Sequence, residues 1–333
     1  MPEPLGITFA SFQTLGVEAG LEAARHAREL GYCSFWTAET IGFEAFSTLA
    51  AAGAAEPSLD LGTGVIATGL RTPMLAAMGA ATLQALHPDR EIILGVGISS
   101  PVVISQWHGA PFGDRPLAQI REYVELLRQC FSGETVTFDG DFYHCRRFRL
   151  GVRLADRKPS IAVGALNPKM LALAGEVADG VLLNYLPASH VPWTVDHVRA
   201  GERQRTDGGH CRIYGYVHVG VCDRDEGMDL ARRDLFSYAV VEAYANNFSN
   251  AGFVEEVAEV RERHAAKDRA GALGAISERM IDAIDVMGDA AHVRATVQDY
   301  FDQGVEVPII MPLPWGPDRM AVVRDTMSAA AGS

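Results

Sequence analysis

The residues of this chain that could do chemistry lie in four short groups, and each group lies in or directly after the last part of an apolar segment with the pattern of a buried strand. Carboxylate, hydroxyl, amide and ammonium groups can bind a ligand or move a proton, and glycine lets a ligand approach the backbone closely. None of the groups contains an obvious nucleophile, which favours a cofactor that carries its own chemistry. The four groups are Glu39-Thr40, Gly62-Thr63-Gly64, Gly95 to Ser100, and Ala165 to Lys169.

Two of these groups have the composition of an anion-binding site. Asn167-Pro168-Lys169 opens a predicted helix, and a helix N-terminus beside a lysine attracts negative charge. Gly95-Val96-Gly97, followed by the hydroxyls of Ser99 and Ser100, could donate hydrogen bonds to a phosphate. Each group also has a purely structural alternative. Asn167 could cap the helix beside a solvated lysine, the glycines could form bulges at the strand ends, and Glu39 could only cover the end of the sheet.

Motifs of several other enzyme classes are absent from the sequence. There is no Gly-x-Ser-x-Gly elbow, no His-Glu-x-x-His pair and no Gly-x-Gly-x-x-Gly fingerprint with a following ribose carboxylate. The five cysteines are odd in number and form no Cys-x-x-Cys pair, which is typical of reduced thiols. We therefore predict neither a zinc site nor any other metal site.

The elements that must position these groups alternate between strand and helix along the chain. Parallel strands joined by right-handed helical crossovers close as a (β/α)8 TIM barrel, whose active site lies at the carboxyl ends of the strands. We read residues 1–333 as one domain, with a β-hairpin insertion at about 135–150 and a helical insertion at about 225–275. The predicted strands are Leu5–Ala10, Cys33–Ala38, Leu59–Ile66, Glu91–Gly97, Ser160–Gly164, Gly180–Leu183, Ile213–Val221 and Val307–Met311.

Composition excludes several kinds of partner. The 29 basic and 42 acidic residues give a net charge of −13, which argues against binding to nucleic acid or to an anionic membrane surface. No apolar run is long enough to span a membrane, and the first residues lack the pattern of a signal peptide. We expect a cytoplasmic protein that acts on a small molecule.

The motifs, in this order and at these spacings, resemble the luciferase-like monooxygenase superfamily, and most closely its coenzyme F420-dependent (deazaflavin) oxidoreductases. The resemblance extends over nearly the whole chain and is weakest at about 189–275. It implies a TIM barrel of the bacterial-luciferase-like type and an enzyme that commonly forms a homodimer. The matching segments are Phe35–Thr40, Leu61–Val65, Arg71–Pro73, Ile93–Gly97, Arg121–Val124 and Ala174–Gly180.

The resemblance also implies which residues bind the cofactor. In deazaflavin enzymes of this family a non-prolyl cis peptide lies behind the central ring, and the matching bond here is Gly64–Val65. Arg71 is a further candidate contact or a structural residue. The implied cofactor-binding residues are Gly64, Val65, Ala67, Gly97, Ser99, Ala165, Leu166, Asn167 and Lys169.

The chain departs from the sugar-phosphate dehydrogenases of the family at their acid–base positions. Glu39-Thr40 stands where they have an Asp-His pair, Ser100 where they have a glutamate, and Pro187 near their phosphate-binding lysine. Glu39, Thr40 and Ser100 are the candidate catalytic residues. These departures favour a small apolar alcohol, carbonyl or enone. The aromatic residues expected near it are Phe12, Phe43, Trp107, Tyr185 and Trp315.

Two other functions stay open at this point. The same fold could bind FMN and act as a monooxygenase, or it could bind a flavin without catalysing a reaction.

Overall fold

Eight parallel strands close into a barrel in the computed structural model, which describes residues 4–332. Segments of three to ten residues form the barrel strands, and helices pack on their outer side, so nearly every residue of these strands is buried, as a parallel sheet requires. The predicted barrel of the luciferase-like type is therefore confirmed. The strands are β1 (Gly6–Thr8), β2 (Ser34–Thr37), β3 (Asp60–Thr63), β4 (Ile66–Ala67), β5 (Ile92–Gly97), β6 (Val136–Asp139), β7 (His144–Phe148), β8 (Ser160–Gly164), β9 (Gly180–Leu183), β10 (Arg212–Val221), β11 (Val286–Gly288) and β12 (Val307–Pro312).

The barrel runs in the order β1, β2, β3, β5, β8, β9, β10 and β12, and β12 pairs back onto β1. The short β4 extends β3 beyond a break and pairs with β5. The surrounding helices are α1 (Val17–Glu29), α2 (Ala45–Ala55), α3 (Pro73–Leu86), α4 (Pro116–Phe131), α5 (Pro168–Val177), α6 (Val191–Glu202), α7 (Arg224–Ala239), α8 (Glu242–Asn250), α9 (Val254–Ala265), α10 (Arg269–Gly274), α11 (Glu278–Ile284), α12 (Ala290–Asp302) and α13 (Arg319–Ala331).

Aromatic side chains fill the barrel interior. Trp36 is fully buried and lies 5.1 Å, ring to ring, from Tyr214. A Cβ placed on Gly62 would stand 2.4 Å from the Trp36 ring, so the first glycine of Gly62-Thr63-Gly64 makes room for the indole. The barrel is consequently a packed core, and a ligand can bind only above it, at the mouth formed by the carboxyl ends of the strands.

Two segments lie outside the barrel wall. The strands β6 and β7 form a separate antiparallel hairpin. Helices α7 to α10 form a helical layer with an apolar cluster of its own, which includes Leu235, Phe248 and Val260. This layer packs beside the end of β9, where Asn247 of α8 donates to the carbonyl of Tyr185, and beside β10, where Asp234 of α7 approaches His218.

Several predicted elements differ in detail from those observed. The third predicted strand, Leu59–Ile66, breaks at Gly64 and Val65. The predicted helix Ser277–Met287 ends at Ile284, because Val286–Gly288 pairs as a strand with the end of β10. Helix α6 has no counterpart among the predicted elements, and the helical insertion is divided into four helices. No helix within residues 4–332 is long and apolar enough to cross a membrane.

The predicted homodimer stays a prediction. Helix α3 exposes three apolar side chains, Leu75, Met78 and Leu86, to solvent.

Close packing of α5 on α6 depends on two glycines. A Cβ on Gly175 would stand 2.0 Å from the Val198 carbonyl oxygen, and one on Gly201 would stand 1.7 Å from the carbonyl oxygen of Ala172. Both obstructing atoms belong to the backbone, so neither helix can yield without moving as a whole. This contact sets the position of α5, whose N-terminus reaches the barrel mouth.

We expect Gly201→Ala to lower the free energy of unfolding by about 1–3 kcal/mol, because the added methyl group overpacks the contact between the two helices. The matched control is Gly274→Ala, since a Cβ at Gly274 meets no atom within 4 Å. That control should be neutral or slightly stabilising. Urea denaturation of both variants measures the difference, and equal stabilities would contradict the packing argument.

Candidate functional site

The break between β3 and β4 lies at the barrel mouth and contains a cis peptide bond between Gly64 and Val65, as the resemblance implied. The N–H of Gly64 donates to the Thr37 carbonyl at 2.8 Å, and the Tyr216 hydroxyl donates to the Gly64 carbonyl at 3.0 Å. The N–H of Glu39 approaches the Val65 carbonyl at 3.4 Å. The bulge is thus held from below by a barrel side chain and from the side by β2.

Val65 occupies a recess lined by glycines of the neighbouring strands. A Cβ on Gly97 would stand 2.8 Å from Val65 Cγ2, and one on Gly164 would stand 3.3 Å from Val65 Cγ1. Gly95 allows β5 to lie so close to the end of β3 that a Cβ on Gly95 would stand 1.9 Å from the carbonyl oxygen of Thr63. Ala67 pairs with Gly97 in the short ladder between β4 and β5. The result is a surface of backbone and small side chains, which a planar ring can approach closely.

The two serines after β5 have different surroundings. Ser99 is exposed and has a left-handed backbone conformation, with φ of 60°. Ser100 is half-buried, and its Oγ accepts the N–H of Val103 at 3.3 Å. This bond opens a turn of π-helix, Val102–Trp107, which extends the loop beside the mouth. Ser100 therefore begins this turn, while the hydroxyl of Ser99 faces solvent.

Glu39 is held in an ion pair instead of standing free at the mouth. Arg71 Nε donates to Glu39 Oε2 at 2.9 Å, and an Arg71 terminal nitrogen donates to Glu39 Oε1 at 2.8 Å. Arg71 also contacts Glu44, and its guanidinium lies 5.1 Å from the centre of the Phe46 ring. Hydrogen bonding to Glu39 raises the pKa of Arg71. Arg71 thus orients Glu39, and a further contact of Arg71 with a cofactor stays a prediction, while Thr40 beside this pair is exposed.

The group after β8 joins the barrel to the helical layer. The Asn167 side chain donates to the carbonyl of Ala243 in α8 at 2.9 Å, and it does not cap α5. The first turn of α5 therefore has no side-chain cap, and capping by Asn167 is ruled out. Lys169 lies exposed in that same turn, whereas Ala165 is buried and Leu166 half-buried beside it.

A cluster of polar side chains lies next to the mouth, in which His218, Tyr185 and Asp285 are buried and Asn184 and Asp234 half-buried, and sequence reasoning did not predict that these side chains meet. His218 of β10 places Nε2 at 2.8 Å from Asn184 Oδ1 and Nδ1 at 3.2 Å from Asp285 Oδ1. Tyr185 donates its hydroxyl to Asp234 Oδ2 at 2.8 Å. Burial raises the pKa of Asp285 to about 8 and that of Asp234 to about 7, and it lowers the pKa of His218 to about 4.

The spacing of this cluster explains why no motif pointed to it. His218, Asp234 and Asp285 come from a strand, a helix of the insertion and the segment before β11, and Asp285 falls inside a predicted helix. A histidine on an inward position of a barrel strand was the one visible signal. The sequence predicted no metal site, yet these three side chains offer potential ligand atoms that all lie within 4.8 Å of one another.

We expect Arg71→Gln to lower the free energy of unfolding by about 1–3 kcal/mol, because it leaves a largely buried carboxylate without its charged partner. The side chains of Arg71 and Glu39 are only 18% and 19% exposed. Arg121→Gln is the control. Arg121 makes two hydrogen bonds to Glu176, but the two side chains are 49% and 33% exposed, so this ion pair should contribute less than about 1 kcal/mol. Denaturation in guanidinium chloride compares the two variants. A larger loss for Arg121→Gln would refute the assignment.

Comparisons with known proteins agree with this geometry. The family model for the luciferase-like monooxygenases matches residues 9–306. A candidate coenzyme F420-dependent oxidoreductase of Mycobacterium tuberculosis is 30% identical over 87% of this chain and 89% of its own length. The F420-dependent tetrahydromethanopterin reductase of Methanopyrus kandleri superposes with a TM-score of 0.76 at 20% identity, over 99% of this chain and 98% of the other. An F420-dependent secondary alcohol dehydrogenase, solved with an F420–acetone adduct, superposes with a TM-score of 0.75 at 17% identity over 99% of both chains.

The family model covers most of the chain, and the relative from M. tuberculosis covers most of it independently. The structural neighbours share the closed barrel described above. The chain therefore belongs to the luciferase-like monooxygenase family, in the branch of its F420-dependent oxidoreductases.

Proposed function

We propose that this protein binds coenzyme F420 at the barrel mouth and transfers a hydride between it and a small, apolar organic substrate. The observation that carries the proposal is the recess around Val65. There, Gly97 and Gly164 keep the surface beside Val65 free of side chains. When bound, the deazaflavin supplies the hydride chemistry, and the protein binds, orients and shields its ring.

The recess fits the ring of such a cofactor. Gly64, Val65 and Ala67 present backbone groups and small side chains to the mouth, and Tyr216 fixes the bulge from below. A methyl group on Gly97 would crowd Val65 Cγ2, at 2.8 Å, and would force a shift in this surface. The residues that would hold the ring thus form a rigid floor before any ligand binds.

The anionic tail of the cofactor would lie over the first turn of α5. This turn has no side-chain cap, and it carries the exposed Lys169. Asn167 is committed to α8, so its role would be to position the turn, while Ser99 and the backbone from Ala165 to Leu166 supply further polar contacts. A protein with a net charge of −13 needs such local donors for an anionic ligand.

Three polar side chains are the proposed catalytic group. Thr40 is exposed at the mouth and can contact the substrate or the ring. Glu39 is oriented by Arg71, and it would hold the loop that carries Thr40 or move a proton. Ser100 lies on the loop after β5, and its hydroxyl accepts the N–H of Val103 there. The chain has no second carboxylate at Ser100, so we propose that it does not act on sugar phosphates.

Apolar side chains on the loops of the mouth support an apolar substrate. Ile41 follows β2 and is 77% exposed, and Trp107 and Phe112 follow β5 and are 53% and 37% exposed. Of the aromatic residues expected there, Phe12 is fully buried against Phe9 and Tyr185 is buried with its hydroxyl bonded to Asp234, so we do not propose that these two contact a substrate.

A side-by-side fluorescence titration with F420 and FMN tests the cofactor, and we expect saturable binding of F420. Lys169→Ala should weaken F420 binding by about tenfold, because one charge-assisted contact of an exposed lysine is worth roughly 1.5 kcal/mol. Lys158→Ala is the matched control: that exposed lysine precedes β8 and so lies at the opposite end of the barrel.

Tight binding of FMN with none of F420 would favour the monooxygenase alternative and overturn the proposal. If Lys169→Ala and Lys158→Ala bind F420 equally well, only the proposed site for the anionic tail at the start of α5 is wrong.

Turnover of reduced and oxidised F420 tests the substrate class. We expect oxidation of reduced F420, followed by its absorbance, with apolar ketones, aldehydes or enones, or the reverse reaction with apolar alcohols, and little turnover with glucose 6-phosphate. Thr40→Val should lower kcat more than it changes the affinity for F420, since the hydroxyl acts on the reacting groups. Preference for the phosphosugar would contradict the substrate assignment, and binding without any turnover would favour a non-catalytic barrel.

A further inference from the structure

The buried cluster beside the mouth joins three parts of the fold that are far apart in sequence. His218 lies on β10, Asp234 on α7 of the helical layer, and Asp285 just before β11. Asp285 is completely buried and His218 is 2% exposed. The proposed hydride transfer makes no use of these side chains.

Three polar atoms of this cluster lack the partners that buried polar atoms ordinarily have. Within residues 4–332, neither carboxylate oxygen of Asp285 accepts a hydrogen bond, and His218 Nδ1 makes none. His218 Nε2 faces the amide oxygen of Asn184, which can only accept, so Nε2 carries the proton and Nδ1 presents a lone pair. A nitrogen lone pair and carboxylate oxygens therefore face one another inside the protein.

We propose that His218, Asp234 and Asp285 bind one divalent transition-metal ion, with Zn²⁺ or Mn²⁺ as its chemical type. One imidazole nitrogen and two carboxylate oxygens form a donor set that such ions accept. Metal–ligand bonds of about 2.0–2.2 Å require ligand atoms that lie roughly 3–4 Å apart. Nδ1 of His218 and Oδ1 of Asp285 are 3.2 Å apart, and one ligand atom from each of the three residues lies within 4.8 Å of the others.

The groups around the cluster have the arrangement of an outer shell. A metal-bound histidine ordinarily donates its other ring N–H to a carbonyl or carboxylate, and Asn184 accepts that bond here. The Tyr185 hydroxyl holds Asp234 at 2.8 Å, and the Tyr185 ring lies 4.1 Å from the His218 ring. These contacts fix the orientation of two of the three ligands.

The charge of the cluster also favours a cation. A carboxylate without a cationic partner is costly to bury, and within residues 4–332 neither Asp285 nor the half-buried Asp234 pairs with a lysine or an arginine, while the neutral His218 is the only basic side chain that contacts Asp285. A bound divalent ion would neutralise both carboxylates. It would also fasten α7 of the helical layer to β10 of the barrel, so we assign it a structural role.

Metal analysis of the purified protein tests this inference independently of F420. The protein is prepared without chelators, incubated with Zn²⁺ or with Mn²⁺, dialysed, and analysed by inductively coupled plasma mass spectrometry. We expect about one ion per chain for one of the two metals. His218→Gln and Asp234→Asn should lower its affinity by about tenfold or more, and Asp229→Asn should retain it, because Asp229 is an exposed residue of the same helix.

Thermal unfolding gives a second readout for variants that load poorly. Removing the ion with a chelator should lower the Tm of the wild-type protein and of Asp229→Asn, but not that of His218→Gln, since an ion that binds only the folded state stabilises it. A folded wild-type protein that holds no stoichiometric Zn²⁺ or Mn²⁺ would overturn the proposal. Protons bound by Asp234 and Asp285 would then neutralise the two carboxylates. Full metal content in both His218→Gln and Asp234→Asn would overturn it as well.

Discussion

The position of Val65 is the constraint on which the rest of the site depends. Its side chain fits only because Gly97 and Gly164 carry none, and its backbone is held by Tyr216 through the carbonyl of Gly64. The Tyr216 side chain in turn lies inside the barrel, in the same buried cluster as Trp36. The floor of the mouth is therefore an extension of the barrel core, and its shape is set by the same close packing that stabilises the fold.

The loop after β2 and the start of α5 after β8 lie on two sides of the mouth, and a different kind of interaction holds each of them. On the side of β2, a salt bridge between Glu39 and Arg71 fixes the loop through charge. On the side of β8, the neutral hydrogen bond from Asn167 to Ala243 fixes the start of α5. The helical layer makes a further contact on the second side, since Asn247 donates to the carbonyl of Tyr185 at 2.7 Å. The mouth is thus bounded by the barrel on one side and by the inserted helices on the other.

Most of the fold could be predicted from the sequence, because apolar strands and amphipathic helices repeat at regular intervals. The glycines that shape the mouth were visible as well, since their spacing marks the ends of strands. The partner of Arg71 was not visible, because an ion pair between residues 32 positions apart leaves no periodic trace. The cluster of His218, Asp234 and Asp285 stayed hidden for the same reason, and the strand at Val286–Gly288 overrode a helical pattern by pairing with β10.

The bond between Asn167 and Ala243 has a consequence for how such a protein can change over evolutionary time. The acceptor is a main-chain carbonyl, so almost any residue at position 243 can supply it. The side chain at position 243 can therefore change while the start of α5 keeps its place. A substitution there needs no compensating change in the barrel.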